Sequence, residues 1–234
     1  MKIFDALIVS LAVLVFASSS AAFAQPEIGS RIDRSREGMT GFHDPLRQKS
    51  ARAGLNAMMR CKAESHRARA MKTLELRYMS AEQTKSLDKI FNKVEYDDRC
   101  SLAKDIEYRI STGPTVGAFA EFFLLRKYNE KNVAALSKLT ELDWQQDVMK
   151  PRNANEMFGR CLSQSGRNEV YNLVKTVPDT SAESDAIKSI VRLLGPCVTD
   201  GLEVKFDKTS LRAILAYGLF RSIHQHQEML EARN

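Results

Sequence analysis

The chain has 234 residues, is 44% apolar and carries a formal net charge of +6. That length can bury one sizeable core or two small ones. Beyond the first 24 residues no segment is long and apolar enough to span a membrane, and no two of the four cysteines lie closer than 36 residues, which argues against a zinc cluster.

Residues 1–24 have the plan of a secretory signal peptide. Met1-Lys2 is a short positive start, with Asp5 against it. Ala6 to Phe16 is an apolar run, and Ala22-Phe23-Ala24 before Gln25 is a cleavage site of small residues. The serines Ser18 to Ser20 interrupt the run, so it matches poorly the roughly 20 strongly apolar residues of a span. No Cys stands at the cleavage site for a lipid anchor. The expectation is an exported protein, periplasmic or secreted, with no transmembrane anchor after cleavage.

Residues 25–49 set Pro26, Gly29, Gly38, Gly41 and Pro45 among charges, the composition of an extended basic arm. The first helical unit is expected over residues 50–128. Ser50 is placed as the N-cap of a helix to about Glu64, with Leu55, Met58, Met59 and Cys61 on its apolar side. A short helix follows from His66 to Leu76. Ser80-Ala81-Glu82-Gln83 has the spacing of a capping box, and Leu87, Ile90 and Phe91 continue it at helical period. Thr112-Gly113-Pro114 breaks the chain, with Pro114 tolerated in a first helical turn. The helix to about Tyr128 is apolar on most of its circumference, which predicts a central position.

Residues 129–153 read as a connector, with one helix marked by Val133, Leu136 and Leu139, and with Trp144 as a packing residue. The second helical unit is expected over 154–234. Its helices run to about Gln164, from Arg167 to Val177 and from Ser181 to Leu194, followed by Gly195-Pro196-Cys197 and a last helix from Lys208 or Thr209 to about Glu231. Gly201 to Phe206 is the one stretch where a strand is plausible. The predicted class is all-α, in two tandem homologous units.

The two halves repeat an order of features. Arg60, Cys61, Ser65 and Arg67 match Arg160, Cys161, Ser165 and Arg167 at an offset of 100. Ser80-Ala81-Glu82 matches Ser181-Ala182-Glu183 one position out of step. Val116 to Arg126 matches Leu211 to Arg221 at an offset of 95. Such self-similarity marks a duplicated helical unit. Four cysteines in an oxidising compartment allow three pairings. The repeat selects Cys61–Cys100 and Cys161–Cys197, one bridge inside each unit.

The charge is lopsided: residues 25–72 hold eleven Lys or Arg against five acids, and residues 73–234 are balanced. Arg52, Arg60, Lys62, Arg67, Arg69 and Lys72 are the candidate contacts with an anionic envelope surface. Nucleic acid is not expected, because no base-stacking aromatics accompany the charge.

No catalytic, cofactor-binding or metal-binding residues are assigned. His224 and His226, two apart on a helix, point away from each other and read as surface histidines; His43 and His66 have no evident partners. Ser163 and Ser165 lack the glycines of a nucleophile elbow. Asp97-Asp98 is an acid pair of a kind common on loops. Arg126 and Arg221 end equivalent helices, where they suit C-terminal carbonyls.

Phe158-Gly159-Arg160-Cys161, Cys197 and Leu211-Arg212-Ala213-Ile214-Leu215-Ala216-Tyr217-Gly218-Leu219-Phe220-Arg221 together resemble a group of uncharacterised exported bacterial proteins built from a repeated helical unit. The resemblance covers roughly residues 50 to 225, and the first unit departs from it at Met59 and Gly117. It implies an all-α exported fold and no activity. The functional expectation is a non-catalytic interaction or scaffold protein, its partner either another protein or an anionic envelope surface. The alternative is an envelope hydrolase whose site forms only in three dimensions.

Overall fold

A computed structural model describes residues 45–91, 100, 111–198 and 206–233, with only the helical backbone for 45–50. The signal segment, most of the basic arm, Asp97-Asp98 and residues 201–205 lie outside the described residues. Among the described residues every regular element is helical. The helices are α1 (Pro45–Ser65), α2 (Arg67–Glu75), α3 (Ala81–Phe91), α4 (Thr112–Arg126), α5 (Glu130–Ala135), α6 (Glu141–Gln145), α7 (Ala154–Ser165), α8 (Arg167–Lys175), α9 (Ser181–Val191) and α10 (Lys208–Arg233). Short 3₁₀ turns cover Leu136–Lys138, Asp147–Met149 and Gly195–Cys197.

Helix α4 is central for the reason its composition gives. Every residue from Gly113 to Leu124 is buried, so no face is left for solvent. Pro114 sits in the first turn, where its missing N–H breaks no intrahelical bond. Helix α10 is buried without interruption from Ser210 to Phe220 and carries on past Arg221 as a more polar tail. The two lie against each other, α1 flanks α4, and α7 flanks α10, giving a row in the order α1, α4, α10, α7. Tyr217, Phe119 and Phe220 are the largest fully buried side chains. Truncating an aromatic ring in such a core costs about 3–5 kcal/mol.

Two crossings are close enough to require small residues. A Cβ on Gly117 of α4 would stand 2.4 Å from Cα and Cβ of Ala213 on α10. A Cβ on Gly218 of α10 would stand 2.5 Å from Cα of Gly159 on α7. Both backbones therefore touch α10 directly.

The α2–α3 and α8–α9 corners have the same construction. Among the described residues, Met79 (φ 57°) and Asp179 (φ 65°) are the non-glycine residues in the left-handed region. Each precedes a capping hydroxyl: Ser80 Oγ accepts from Gln83 N–H at 3.1 Å, and Thr180 Oγ1 accepts from Glu183 N–H at 3.3 Å. The side chain three residues into the helix then reaches back. Met79 N–H donates to Gln83 Oε1 at 2.7 Å, and Asp179 N–H donates to Glu183 Oε2 at 2.9 Å.

Several boundaries differ from the expectations. Helix α1 starts at Pro45, not Ser50: proline suits a first helical position, so the helix extends into the predicted arm. Helix α9 starts at Ser181 as expected, with Thr180 as its cap. The corner is therefore in register at an offset of 100, not 101. Helix α9 ends at Val191, before Leu194. The connector holds α5 and α6 in place of one helix, each opened by a capping box, at Asn129 and Thr140. The last helix is capped by Asp207, whose Oδ1 accepts from Thr209 N–H at 2.8 Å and Ser210 N–H at 2.9 Å.

Candidate functional site

The cysteines pair as the repeat selected: Cys61–Cys100 with Cα atoms 5.5 Å apart, and Cys161–Cys197 at 5.6 Å. Each ties a helix of the central row, α1 or α7, to the chain beyond the next two helices. Closing loops of 39 and 36 residues stabilises by about 4 kcal/mol each in the chain-entropy account.

One buried charge network joins α4, α10 and the α8–α9 corner. Arg212 on α10 is 3% exposed and Glu121 on α4 is 1% exposed. The guanidinium grips the carboxylate through Nε at 2.6 Å and Nη2 at 3.1 Å. Its other donors reach Glu183 Oε1 at 3.2 Å, Thr176 Oγ1 at 3.0 Å, and the carbonyls of Val174 and Thr176 at 3.2 and 2.9 Å. Arg212 thus satisfies orphan carbonyls at the end of α8 while neutralising Glu121. Arg52 of α1 closes the network from outside, donating to Glu183 at 2.8 and 2.9 Å and to Asp179 at 2.7 Å. Burial opposes ionisation of Glu183. Hydrogen bonds from Arg52 and the Asp179 N–H, with the Arg52 and Arg212 charges, outweigh it and hold the carboxyl below its ordinary range.

A second network sits at the α2–α3 corner. Glu156 of α7, 6% exposed, accepts from the backbone N–H of Tyr78 and Arg152, both at 2.8 Å, and pairs with the Arg152 guanidinium at 2.9 Å. Arg152 also donates to the carbonyls of Glu75 and Leu76 at the end of α2, and the Tyr217 hydroxyl donates to Leu76 O at 2.7 Å. Here too burial raises the carboxyl and the hydrogen bonds more than reverse it. The two arginines an offset of 100 apart therefore cross over. Arg52, in the first half, holds the corner of the second, and Arg152, in the second half, holds the corner of the first.

Of the basic cluster, Arg52 is turned inward to this network. Arg60 and Lys62 are half-buried, and Arg67, Arg69 and Lys72 are exposed. Arg67 pairs with Glu64 at 3.2 Å and lies 5.6 Å from the Phe122 ring centroid. His224 is not the surface histidine expected from its place in the helix. His224 is largely buried, stacks on Phe220 at 5.5 Å and shares a 3.0 Å hydrogen bond with the Tyr128 hydroxyl. Burial lowers its pKa and that of His226. Arg221 meets a helix-terminal carbonyl as expected, though of another helix: it donates to Glu75 O at 3.3 Å. Trp144 is buried, and its carbonyl accepts from Arg160 at 2.9 Å.

Sequence reasoning missed Glu121, Glu156 and Glu183. The signal was present for Glu121, a lone acid in an otherwise apolar helix, which must find a buried cation. Among the described residues no cluster of His, Cys, Asp or Glu is arranged to hold a metal ion, and no helix is long and apolar enough to cross a membrane. No protein-family model, curated protein or solved structure matches the chain.

Proposed function

We propose that the chain is an exported, non-catalytic interaction or scaffold protein, made of two homologous helical units, that docks on an anionic envelope surface through α1 and α2. The observation that carries this reading is the use of the interior charges. Glu121, Glu156, Glu183, Arg152 and Arg212 bind one another and helix-end carbonyls, so they hold elements together. The exposed cations Arg67, Arg69 and Lys72 on α2 stand outside those networks. Export is supported by the two disulfides, since such bonds persist in oxidising compartments. Duplication is supported by the two like-built corners and by the crossed arginines.

Vesicle co-sedimentation tests the docking. The oxidised protein should bind vesicles rich in anionic phospholipid at low salt, ignore zwitterionic ones, and dissociate as salt rises to physiological strength. Reversal of Arg67, Arg69 and Lys72 to Glu should abolish binding while leaving the helical circular dichroism spectrum unchanged. A wild-type protein that ignores anionic vesicles at low salt overturns the docking reading.

A further inference from the structure

A small recess of about 270 Å³, counting the space open to solvent, lies between α7 and α10 beneath the segment Met149–Pro151. Gly218 lines it next to the close crossing with Gly159, and Arg160, Arg221, Gln225 and Ser222 face it. Three features of this lining are unusual together. Gln225 is 5% exposed; among the described residues its amide makes no hydrogen bond, and it is not one of the buried orphan groups, so its polar end faces the open recess. Arg160 and Arg221 have no carboxylate partner among the described residues. Arg160 uses Nη1 alone, on the carbonyls of Trp144 and Met149. Arg221 uses Nη1 alone, on Glu75 O. The remaining N–H donors of both guanidinia are unused.

Burial disfavours the charge of both arginines; Glu141 favours that of Arg160, and at Arg221 Tyr217, Glu156 and Glu228 favour it while Arg152 opposes it. Guanidinium does not deprotonate in proteins, so both stay charged, with carboxylates near but none within ion-pair distance among the described residues. The other polar groups on the wall have given their protons elsewhere: Ser222 to Gly218 O and Tyr217 to Leu76 O. Glu156 also lines the recess, but its oxygens are taken by Arg152 and by two backbone N–H groups.

We infer that this recess binds a single carboxylate group, received by the Arg160 and Arg221 guanidinia and the Gln225 amide. The planar fork of arginine matches a carboxylate. The fixed charge of Glu156 penalises a dianion, which favours a carboxylate over phosphate. The recess is small and open to solvent, so the carbons attached to the carboxylate, on a small acid or the carboxyl terminus of a peptide, would extend outward.

The test is a titration of the oxidised, isotopically labelled protein, following the Gln225 side-chain NH₂ and the Nε–H signals of Arg160 and Arg221 by NMR at constant ionic strength. Acetate and triglycine should shift these signals saturably, and chloride and C-terminally amidated triglycine should not. Tighter binding of triglycine than acetate assigns the source as a peptide terminus, and the reverse assigns a small acid. Gln225→Met and Arg221→Gln should each weaken binding by about tenfold or more, and Arg221→Lys, which keeps charge but loses the fork, by less. Near-UV circular dichroism checks that each variant is folded, and Arg221→Lys serves if Arg221→Gln is not. Absence of a saturable shift with either carboxylate overturns the inference. So do tighter binding of inorganic phosphate and unchanged affinity in the folded variants.

Discussion

Replacing Arg212 with Met tests whether the interior charges hold the fold. The substitution fills similar volume and leaves Glu121, 1% exposed, with Asn56 Nδ2 at 3.3 Å as its remaining partner. It also strips a donor from the carbonyls of Val174 and Thr176. Breaking a buried ion pair by removing one member costs about 3–5 kcal/mol, a large part of the 5–15 kcal/mol that typically holds a domain together. Glu121→Gln should cost less, about 1–3 kcal/mol, because Arg212 keeps Glu183, Thr176 and two carbonyls. In the double variant Arg212→Met/Glu121→Leu the buried charge is gone from both helices, so it should be more stable than Arg212→Met alone. Urea unfolding of the oxidised proteins, read as midpoint and slope, gives all three values. A cost below about 1 kcal/mol for Arg212→Met, or no recovery in the double variant, would refute the reasoning.

Gly218→Ala should destabilise by about 1–3 kcal/mol or more, since its Cβ would lie 2.5 Å from Gly159 Cα, while Gly195→Ala, with nothing within 4 Å, should be near neutral; thermal melts compare them. Cys161→Ser with Cys197→Ser should cost about 2–4 kcal/mol and should leave the Cys61–Cys100 link intact in non-reducing peptide maps. Glu156 and Glu183 both have folded pKa values below the ordinary carboxylate value. The stability they confer is therefore complete above the unfolded pKa of roughly 4.5 and is lost as pH falls through their lower folded values. Acid titration of the unfolding midpoint should show this loss, and Glu156→Gln should flatten it. Asp143, held by the Thr140 N–H first, then by Arg233 and the Thr140 hydroxyl, should titrate at about 2 by NMR.

What was legible in the sequence was what depends on local pattern. The all-round apolarity of α4 foretold its burial, and the repeated Arg-Cys frame foretold both disulfides. The Ser-Ala-Glu match misled by one residue. Ser181 opens α9 as expected, but the string match sets it against Ser80, whose counterpart in capping is Thr180. The cap is settled by geometry: Asp179 takes a positive φ, which aims Thr180 at the Glu183 N–H. Asp tolerates that conformation better than most residues, so the signal existed for Asp179 but not for Met79. The Arg52–Glu183 and Arg152–Leu76 contacts join residues far apart in the chain, and no local pattern encodes them. Gln225 gave no sign at all. An amide in the polar tail of a long helix looks solvated until the neighbouring helix is in place.

The crossed arginines bear on whether either half can stand alone. Repeat proteins usually stack, and each unit then meets its neighbours through one end. Here α4 and α10, the two most buried helices, lie against each other at Gly117 and Ala213, so each half supplies one wall of a shared interior. Separation would expose the face of α4 that meets α10 and leave Glu121 without Arg212. It would also remove Arg152 from the carbonyls of Glu75 and Leu76 and Arg52 from Glu183. A fragment of residues 25–128 should therefore fail to give a sharp unfolding transition even with Cys61–Cys100 formed, and a fragment of residues 129–234 should behave likewise. Mixed and refolded together under oxidising conditions, the two should recover a cooperative transition. A fragment that unfolds cooperatively by itself, with near-UV circular dichroism like its part of the whole, would mean that the disulfide and the local helices suffice and that the exchange of arginines is dispensable.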